Sequence, residues 1–288
     1  MTNPGPLWLV VNNASGSYSD DSEERLQACC AAAGMGAGAG ILRTVNFPGE
    51  DLPSAAELDA AGVRVLAVFT GDGTLNTAIA RLEGWQGAVL PLPGGTMNLL
   101  SKRLHSDQDA ETILTRYCRG EARLSRPQVV TTAHGSAFAE LLAGPGTRWN
   151  IVREALREAD LPGVVAGTAD AIAETYDGPN VHVIEPAGGR EEGYPLIEVL
   201  PTEVGLQVKG FYAETVGDVL SQGAALLRRN FREGPHDDLG LFAQITLRQT
   251  DGSPIELLFD GEPVTGGARE VFGLAPCRVD LLATPHDD

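Results

Sequence analysis

The sequence predicts an α/β domain built on a parallel sheet, followed by a second, mainly antiparallel β domain. Three observations carry that expectation. Over the first third of the chain, short apolar runs alternate with stretches of helical period. Those runs are almost continuously apolar, as strands are when helices cover both faces of their sheet. From about residue 121 the pattern changes to polar–apolar alternation over strand lengths, punctuated by Gly, Pro and Asp-Gly. The expected domains are residues 1–120 and 121–288, and the last strand is a candidate to return to the first domain.

The elements follow in order. "LWLVVN" (7–12) reads as the first strand and ends in the polar turn "NASGSYSDD". Leu26, Cys29, Cys30 and Ala33 have helical spacing. "ILRTVNF" (41–47) is the second strand, and "SAAELDAAG" (54–62) a short helix closed by Gly62. "VRVLAVF" is the third strand with "TLNTAIARL" its helix, and "AVLPL" (88–92) the fourth with "TMNLLSKRL" its helix. "AETILTRYC" (110–118) reads as one more helix. In the second part, "NVHVIEP", "PLIEVLPTEVGLQVKGFYAE", "LFAQITLRQT" and "PIELLFDGEPV" read as strands, with helices expected at 148–159 and 216–231. The closing "CRVDLLAT" is a strand whose neighbours the pattern does not identify, and no internal repeat is visible.

Bulk properties narrow the function. The 288 residues are 43% hydrophobic and 21% charged, which suits a globular protein with a substantial core. A net charge of −18 lacks the basic footprint of a general nucleic-acid binder. It also disfavours a broad electrostatic grip on an anionic membrane, leaving local basic spots as candidates for transient membrane-surface contact. Those spots are Lys102-Arg103 and the cluster Arg228, Arg229 and Arg232, for which a solvated helix face is the commoner explanation. No apolar run approaches the ~20 residues that cross a bilayer. The start lacks a basic, apolar leader. Cys29, Cys30, Cys118 and Cys277 show no metal-binding spacing and read as reduced thiols, so a cytoplasmic location is expected. The five histidines lie far apart and form no ligand set.

Glycine is abundant, 35 of 288, about 12% against a usual ~7%. Much of it sits in turns after strands: "NNASGS" (12–17), "TGDGTLN" (70–76) and "PGGTMN" (93–98). Ligands of an open parallel sheet sit outside the carboxyl ends of its strands. There, glycines admit a phosphate and the opening amides of the next helix favour an anion. Thr74, Asn76, Thr96 and Asn98 add short polar side chains. Any single such loop is a weak signal, since the same residues join strands to helices everywhere. The P-loop and dinucleotide fingerprints are both absent. Asp72 is the odd member, because a carboxylate repels a bare phosphate. It suits the place if Mg²⁺ bridges the two or if it faces an attacking hydroxyl. The plainer alternative is that Asp72 caps a helix beginning at Thr74.

These motifs together carry a resemblance. "GDGTLN", then "LPGGTMN", with "NNASG" after the first strand and "LLFDGEPV" near the C-terminus, resemble the diacylglycerol kinase catalytic family, lipid kinases related to sphingosine and ceramide kinases. The Gly-Asp-Gly-Thr element is shared with NAD kinases. The resemblance implies an N-terminal nucleotide-binding α/β domain of NAD kinase/diacylglycerol kinase type and a C-terminal β-sandwich. It implies ATP and Mg²⁺ as cofactors and a lipid hydroxyl as phosphoryl acceptor. Position by position, Gly71, Asp72, Gly73, Thr74 and Asn76 match the nucleotide loop, Gly95 and Thr96 the second phosphate loop, and Thr44 a nucleotide-contacting threonine. Glu262 matches the catalytic base, with Asp72 as the second catalytic carboxylate; a hairpin turn alone would account for Asp260-Gly261. The chain departs from the family at Thr70, Thr77, Leu99 and Arg148, and it alters the order around Asp237 and Asp238, so no metal ligands are assigned. The expected function is an ATP-dependent kinase of a diacylglycerol-like lipid. The alternatives are a kinase of a small soluble alcohol and a nucleotide- or lipid-binding protein that has lost phosphotransfer. An unpaired strand edge in the β domain is a candidate homodimer seam.

Overall fold

The computed structural model describes residues 5–15, 18–19, 21–33, 40–147, 179–212 and 235–285. The helices expected at 148–159 and 216–231, Arg148 and the cluster Arg228, Arg229 and Arg232 lie outside the described residues. The chain divides into two compact units, Met1–Pro127 with Pro276–Asp288, and Gln128–Ala275.

The first unit runs β1 (Leu7–Asn12), α1 (Ser22–Ala32), β2 (Ile41–Phe47), α2 (Ala55–Ala60), β3 (Val65–Thr70), α3 (Asp72–Arg81), β4 (Ala88–Pro93), α4 (Leu99–His105), α5 (Ala110–Cys118) and β5 (Arg123–Ser125). Local chemistry explains the helix ends. Ser54 and Glu57 form a reciprocal capping box that opens α2, and Gly62 closes it at φ 68°. The Asp109 carboxylate accepts the Thr112 N–H at 2.7 Å and opens α5. In α3, Leu75, Ala78 and Ile79 recur at helical spacing and are buried. Each of the two larger side chains contributes about 1.5–3 kcal/mol by leaving water.

The sheet has the order β2-β1-β3-β4-β18-β5, where β18 is Asp280–Ala283. The first four strands are parallel to their neighbours; β18 runs parallel to β4 and antiparallel to β5. The final segment, unplaced by pattern alone, is thus an inserted inner strand of this sheet. Chain order reverses between β1 and β3, the switch point at which open α/β sheets leave a crevice. Register sets the level of that crevice. Val11 pairs with Phe69, and Thr70 with Pro93, so β1, β3 and β4 end side by side. One buried cluster joins sheet residues Leu9, Ala67 and Leu90 with Leu26, Cys30, Ile113 and Cys118 of α1 and α5. The Cys118 Sγ lies 3.4 Å from Cys30 Sγ.

The second unit contains β6 (Gln128–Thr132), β7 (Gly135–Ala137), β8 (Leu141–Ala143), β9 (Val181–Glu185), β10 (Ala187–Gly188), β11 (Leu196–Pro201), β12 (Leu206–Phe211), β13 (His236–Phe242), β14 (Gln244–Gln249), β15 (Glu256–Phe259), β16 (Glu262–Thr265) and β17 (Arg269–Pro276). They form two antiparallel sheets, β10-β9-β14-β17-β6-β7 and β13-β12-β11-β8-β15-β16. Val130, Val183, Ile245 and Phe272 of one sheet share a buried core with Ile197, Val208, Leu257 and Phe259 of the other. That is the construction of a β-sandwich. The parallel-sheet domain followed by antiparallel sheets matches the fold class expected from the sequence.

Candidate functional site

The three glycine loops meet at the carboxyl ends of β1, β3 and β4. Asn12 Nδ2 donates to Thr74 Oγ1 at 3.2 Å, tying the first loop to the second. The Ser15 hydroxyl donates to the Gly94 carbonyl, tying the first to the third. The Gly94 N–H donates to the Thr70 carbonyl at 3.2 Å, tying the third to the second. The backbones touch where these ties are made. A Cβ on Gly95 would lie 2.4 Å from Gly71 Cα, and one on Gly94 only 2.5 Å from Thr70 N. No side chain larger than hydrogen fits at either place, so these glycines are required by packing between loops.

Asn98 braces the third loop from within. It sits in the left-handed region at φ 52°, which asparagine tolerates better than most residues. Its side chain accepts the Gly95 N–H at 2.8 Å and donates back to the Gly95 carbonyl at 2.8 Å. Thr96 is half-buried between these two residues.

Asp72 does not cap a helix beginning at Thr74. Helix α3 already starts at Asp72, its N-cap is Gly71, and no side chain caps it. The Asp72 carboxylate is 7% exposed, and its Oδ1 accepts the Leu100 N–H at 3.4 Å, in the first turn of α4. The carboxylate of the second loop therefore reaches the helix that the third loop opens. Gly73, Thr74 and the half-buried Asn76 follow along the first turns of α3. Glycine amides, the N-terminus of α3, short hydroxyls and one carboxylate suit a polyphosphate. Mg²⁺ takes oxygen ligands and needs few from the protein, so the Asp72 carboxylate beside amides suited to a phosphate fits that ion. A cavity of about 180 Å³ opens beside the ends of β3 and β4, lined by Phe69, Pro93 and the first turns of α1 and α5.

Thr44 stands apart from this cluster. It lies mid-strand in β2, half-buried, in register with Leu9, and no described hydrogen bond ties it to the loops. On α4, Lys102 is exposed and lies 3.9 Å from Asp107.

Glu262 belongs to the second unit. It is exposed and opens β16, paired with Phe259 across a two-residue hairpin. The central residues Asp260 and Gly261 have φ 50° and 96°, the type I′ geometry that Asp-Gly favours. Asp260 itself is buried, and its carboxylate accepts three backbone N–H groups, from Phe138, Ala139 and Glu140. Asp237 accepts hydrogen bonds from Tyr194 (2.8 Å) and Arg190 (3.0 Å). The tyrosine and arginine bonds hold its carboxyl below the usual range. Among the described residues no group of three or more His, Cys, Asp or Glu side chains is arranged for a metal, and no helix is long and apolar enough to cross a membrane.

Sequence reasoning does not single out Ser15, Gly94 and Asp260 as site residues, and it reads Asn98 only as a short polar side chain beside the loop amides. Ser15, Gly94 and Asn98 lie inside the loops already recognised, but nothing in a loop's composition says which member reaches a neighbouring loop. Asp260 lay hidden behind an adequate turn explanation.

No curated protein sequence matches the chain. A diacylglycerol kinase structure from Bacillus anthracis str. Sterne shares the fold at TM-score 0.61 and 13% identity, over 98% of this chain and 97% of that one. Two candidate diacylglycerol kinases from the same strain share it at 0.61 with 16% identity, covering 98% of each chain, and at 0.65 with 15%, covering 99% of each. Residues 6–126, which hold all three loops, match the family model of the diacylglycerol kinase catalytic domain. The resemblance read from the motifs is borne out for this segment, which is similar to the diacylglycerol kinase catalytic domain.

Proposed function

We propose that this protein is a lipid kinase that transfers the γ-phosphoryl group of ATP to a hydroxyl of a diacylglycerol-like lipid. The observation that carries the proposal is the cross-braced set of loops at the sheet's switch point, inside the segment that matches the catalytic domain. Gly71, Gly73, Thr74, Asn76, Gly95 and Thr96 supply the amides and short polar side chains that hold the triphosphate. Asp72 would be the protein carboxylate that holds Mg²⁺, and the ion would supply charge neutralisation for the transferred group.

Phosphoryl transfer asks the protein mainly for positioning and electrostatics. The lipid hydroxyl oxygen bonds to the γ-phosphorus as the bond to the β,γ-bridging oxygen breaks, and ADP leaves. The hydroxyl proton goes to a carboxylate, and Glu262 is assigned that role through its match to the family's base. Its exposure leaves the carboxylate accessible to an acceptor.

The test is incubation with labelled ATP, Mg²⁺ and a mixed lipid extract, run beside a panel of soluble polyols and nucleosides. Label in a lipid phosphate supports the proposal. Label only in a soluble product replaces the acceptor class. Tight binding of ATP without turnover on any acceptor replaces the enzyme by a nucleotide-binding protein.

A further inference from the structure

A catalytic base must stand at a fixed place, and the Glu262 side chain does little to fix its own. Its carboxylate makes no hydrogen bond or ion pair among the described residues, and it lies on a short outer strand, β16. Among the described residues, its position is set by the backbone of the β15–β16 hairpin. Only two residues make the turn of that hairpin, and one of them, Asp260, is 2% exposed.

The surroundings of Asp260 are unusually complete. Oδ2 accepts the Phe138 N–H at 2.7 Å, and Oδ1 accepts those of Ala139 at 2.7 Å and Glu140 at 2.9 Å. The Asp260 N–H donates to the Glu140 carbonyl at 2.9 Å. These partners lie about 120 residues earlier, in the link from β7 to β8. A buried carboxylate is costly unless its charge is met, and three aligned N–H donors meet it. Hairpins take their Asp-Gly turns from local geometry alone, with the side chain free to face water. Here the side chain turns inward and staples the hairpin to a second segment of the same sandwich.

We propose that Asp260 is the positioning residue for Glu262: through the Phe138–Glu140 amides it holds the hairpin that presents the base. This inference rests on the lipid kinase reading and on Glu262 as its base. Asp260 touches no substrate and acts through the hairpin alone. A base displaced by about 1 Å loses on the order of 10²-fold in rate, because proton transfer depends steeply on geometry.

Two substitutions separate the role from general stability. Asp260→Gly keeps the positive φ and removes every carboxylate bond. Asp260→Asn keeps one acceptor oxygen and places an NH₂ against the Phe138 N–H, so it releases part of the staple. Turnover is measured with ATP and dioctanoylglycerol in detergent micelles, together with melting and hydrogen exchange of a peptide spanning 136–142. Asp260→Gly is expected to lower kcat by roughly 10- to 100-fold with KM for ATP within about twofold. Exchange at 138–140 should rise, and the melting temperature should fall by roughly 3–10 °C. Asp260→Asn should fall between this variant and the parent.

The decisive comparison is the double variant. If Asp260 works only through the base, Asp260→Gly added to Glu262→Gln leaves turnover at the Glu262→Gln level. Multiplying losses would overturn the inference, as would an Asp260→Gly protein with raised exchange at 138–140 and normal kcat. A parent protein without any phosphotransfer removes the kinase reading and this inference together. An active parent with a fully active Glu262→Gln variant removes the base and, with it, the positioning role.

Discussion

Two Asp-Gly pairs, one in each unit, show how differently the same dipeptide is used. Asp72-Gly73 opens α3 at the end of a parallel strand, and Asp260-Gly261 turns an antiparallel hairpin. Both carboxylates are buried, and both accept backbone N–H groups from distant segments. The Asp72 bond to the Leu100 N–H is long, 3.4 Å, whereas the Asp260 carboxylate accepts those of Phe138, Ala139 and Glu140 at 2.7 to 2.9 Å. Around Asp72 the loops are held mainly by other means: glycine contacts, the Asn98 brace and the ties from Asn12 and Ser15. In the hairpin the carboxylate adds three bonds to the backbone pairing of β15 with β8.

That contrast sets the size of the expected effects at the loop cluster. Asp72→Asn should be the most damaging to turnover and mild for folding. The amide oxygen still accepts from Leu100, so stability should change by less than ~1 kcal/mol. Loss of the charge that organises the triphosphate should lower kcat by about 10²-fold or more. A folded Asp72→Asn protein with near-normal turnover would make the two aspartates alike, both structural.

Gly95→Ala comes next. Its Cβ cannot fit 2.4 Å from Gly71 Cα, so the second and third loops must part. We expect about 1–3 kcal/mol of lost stability and at least about tenfold weaker ATP binding by calorimetry. Gly5→Ala, with nothing within 4 Å of its added Cβ, is the internal control and should melt as the parent does. Equal behaviour of the two variants would deny that loop contact matters.

Asn98→Ala should cost about 1–2 kcal/mol, since it removes both bonds to Gly95 and strains a position at φ 52°. Asn98→Gly should recover part of the stability by relieving the strain while leaving ATP affinity reduced. If Asn98→Gly restores affinity as well, the brace is dispensable. Thr44→Val should have the smallest effect, within about threefold in KM for ATP, because Thr44 sits mid-strand on β2 away from the braced loops. A tenfold rise would return Thr44 to the site that its family match implies.

Part of this was legible in the sequence. The alternation of apolar runs with helical stretches showed the parallel sheet, since period reports which faces of an element are buried. "TGDGTLN" and "PGGTMN" are recognisable together, because each loop is weak alone and several such loops follow strands of one sheet. The turn at Asp260-Gly261 was visible for the same local reason. The start of α3 was missed by two residues, because Gly71 caps by conformation and not by a side chain. That shift removed Asp72 from the capping position and gave its carboxylate to α4.

By itself the sequence determined the properties that depend on a residue and its near neighbours: strand and helix period, turn type, and the glycine-rich ends of β1, β3 and β4. Only the tertiary structure decided which distant segments share those features. It set β18 beside β4 across nearly the whole chain, brought Cys30 Sγ within 3.4 Å of Cys118 Sγ, packed Gly95 on Gly71 and aimed Asp260 at three amides. The physical reason is that burial leaves a periodic trace in every element, whereas a hydrogen bond or backbone contact between remote segments exists only once both are folded into place.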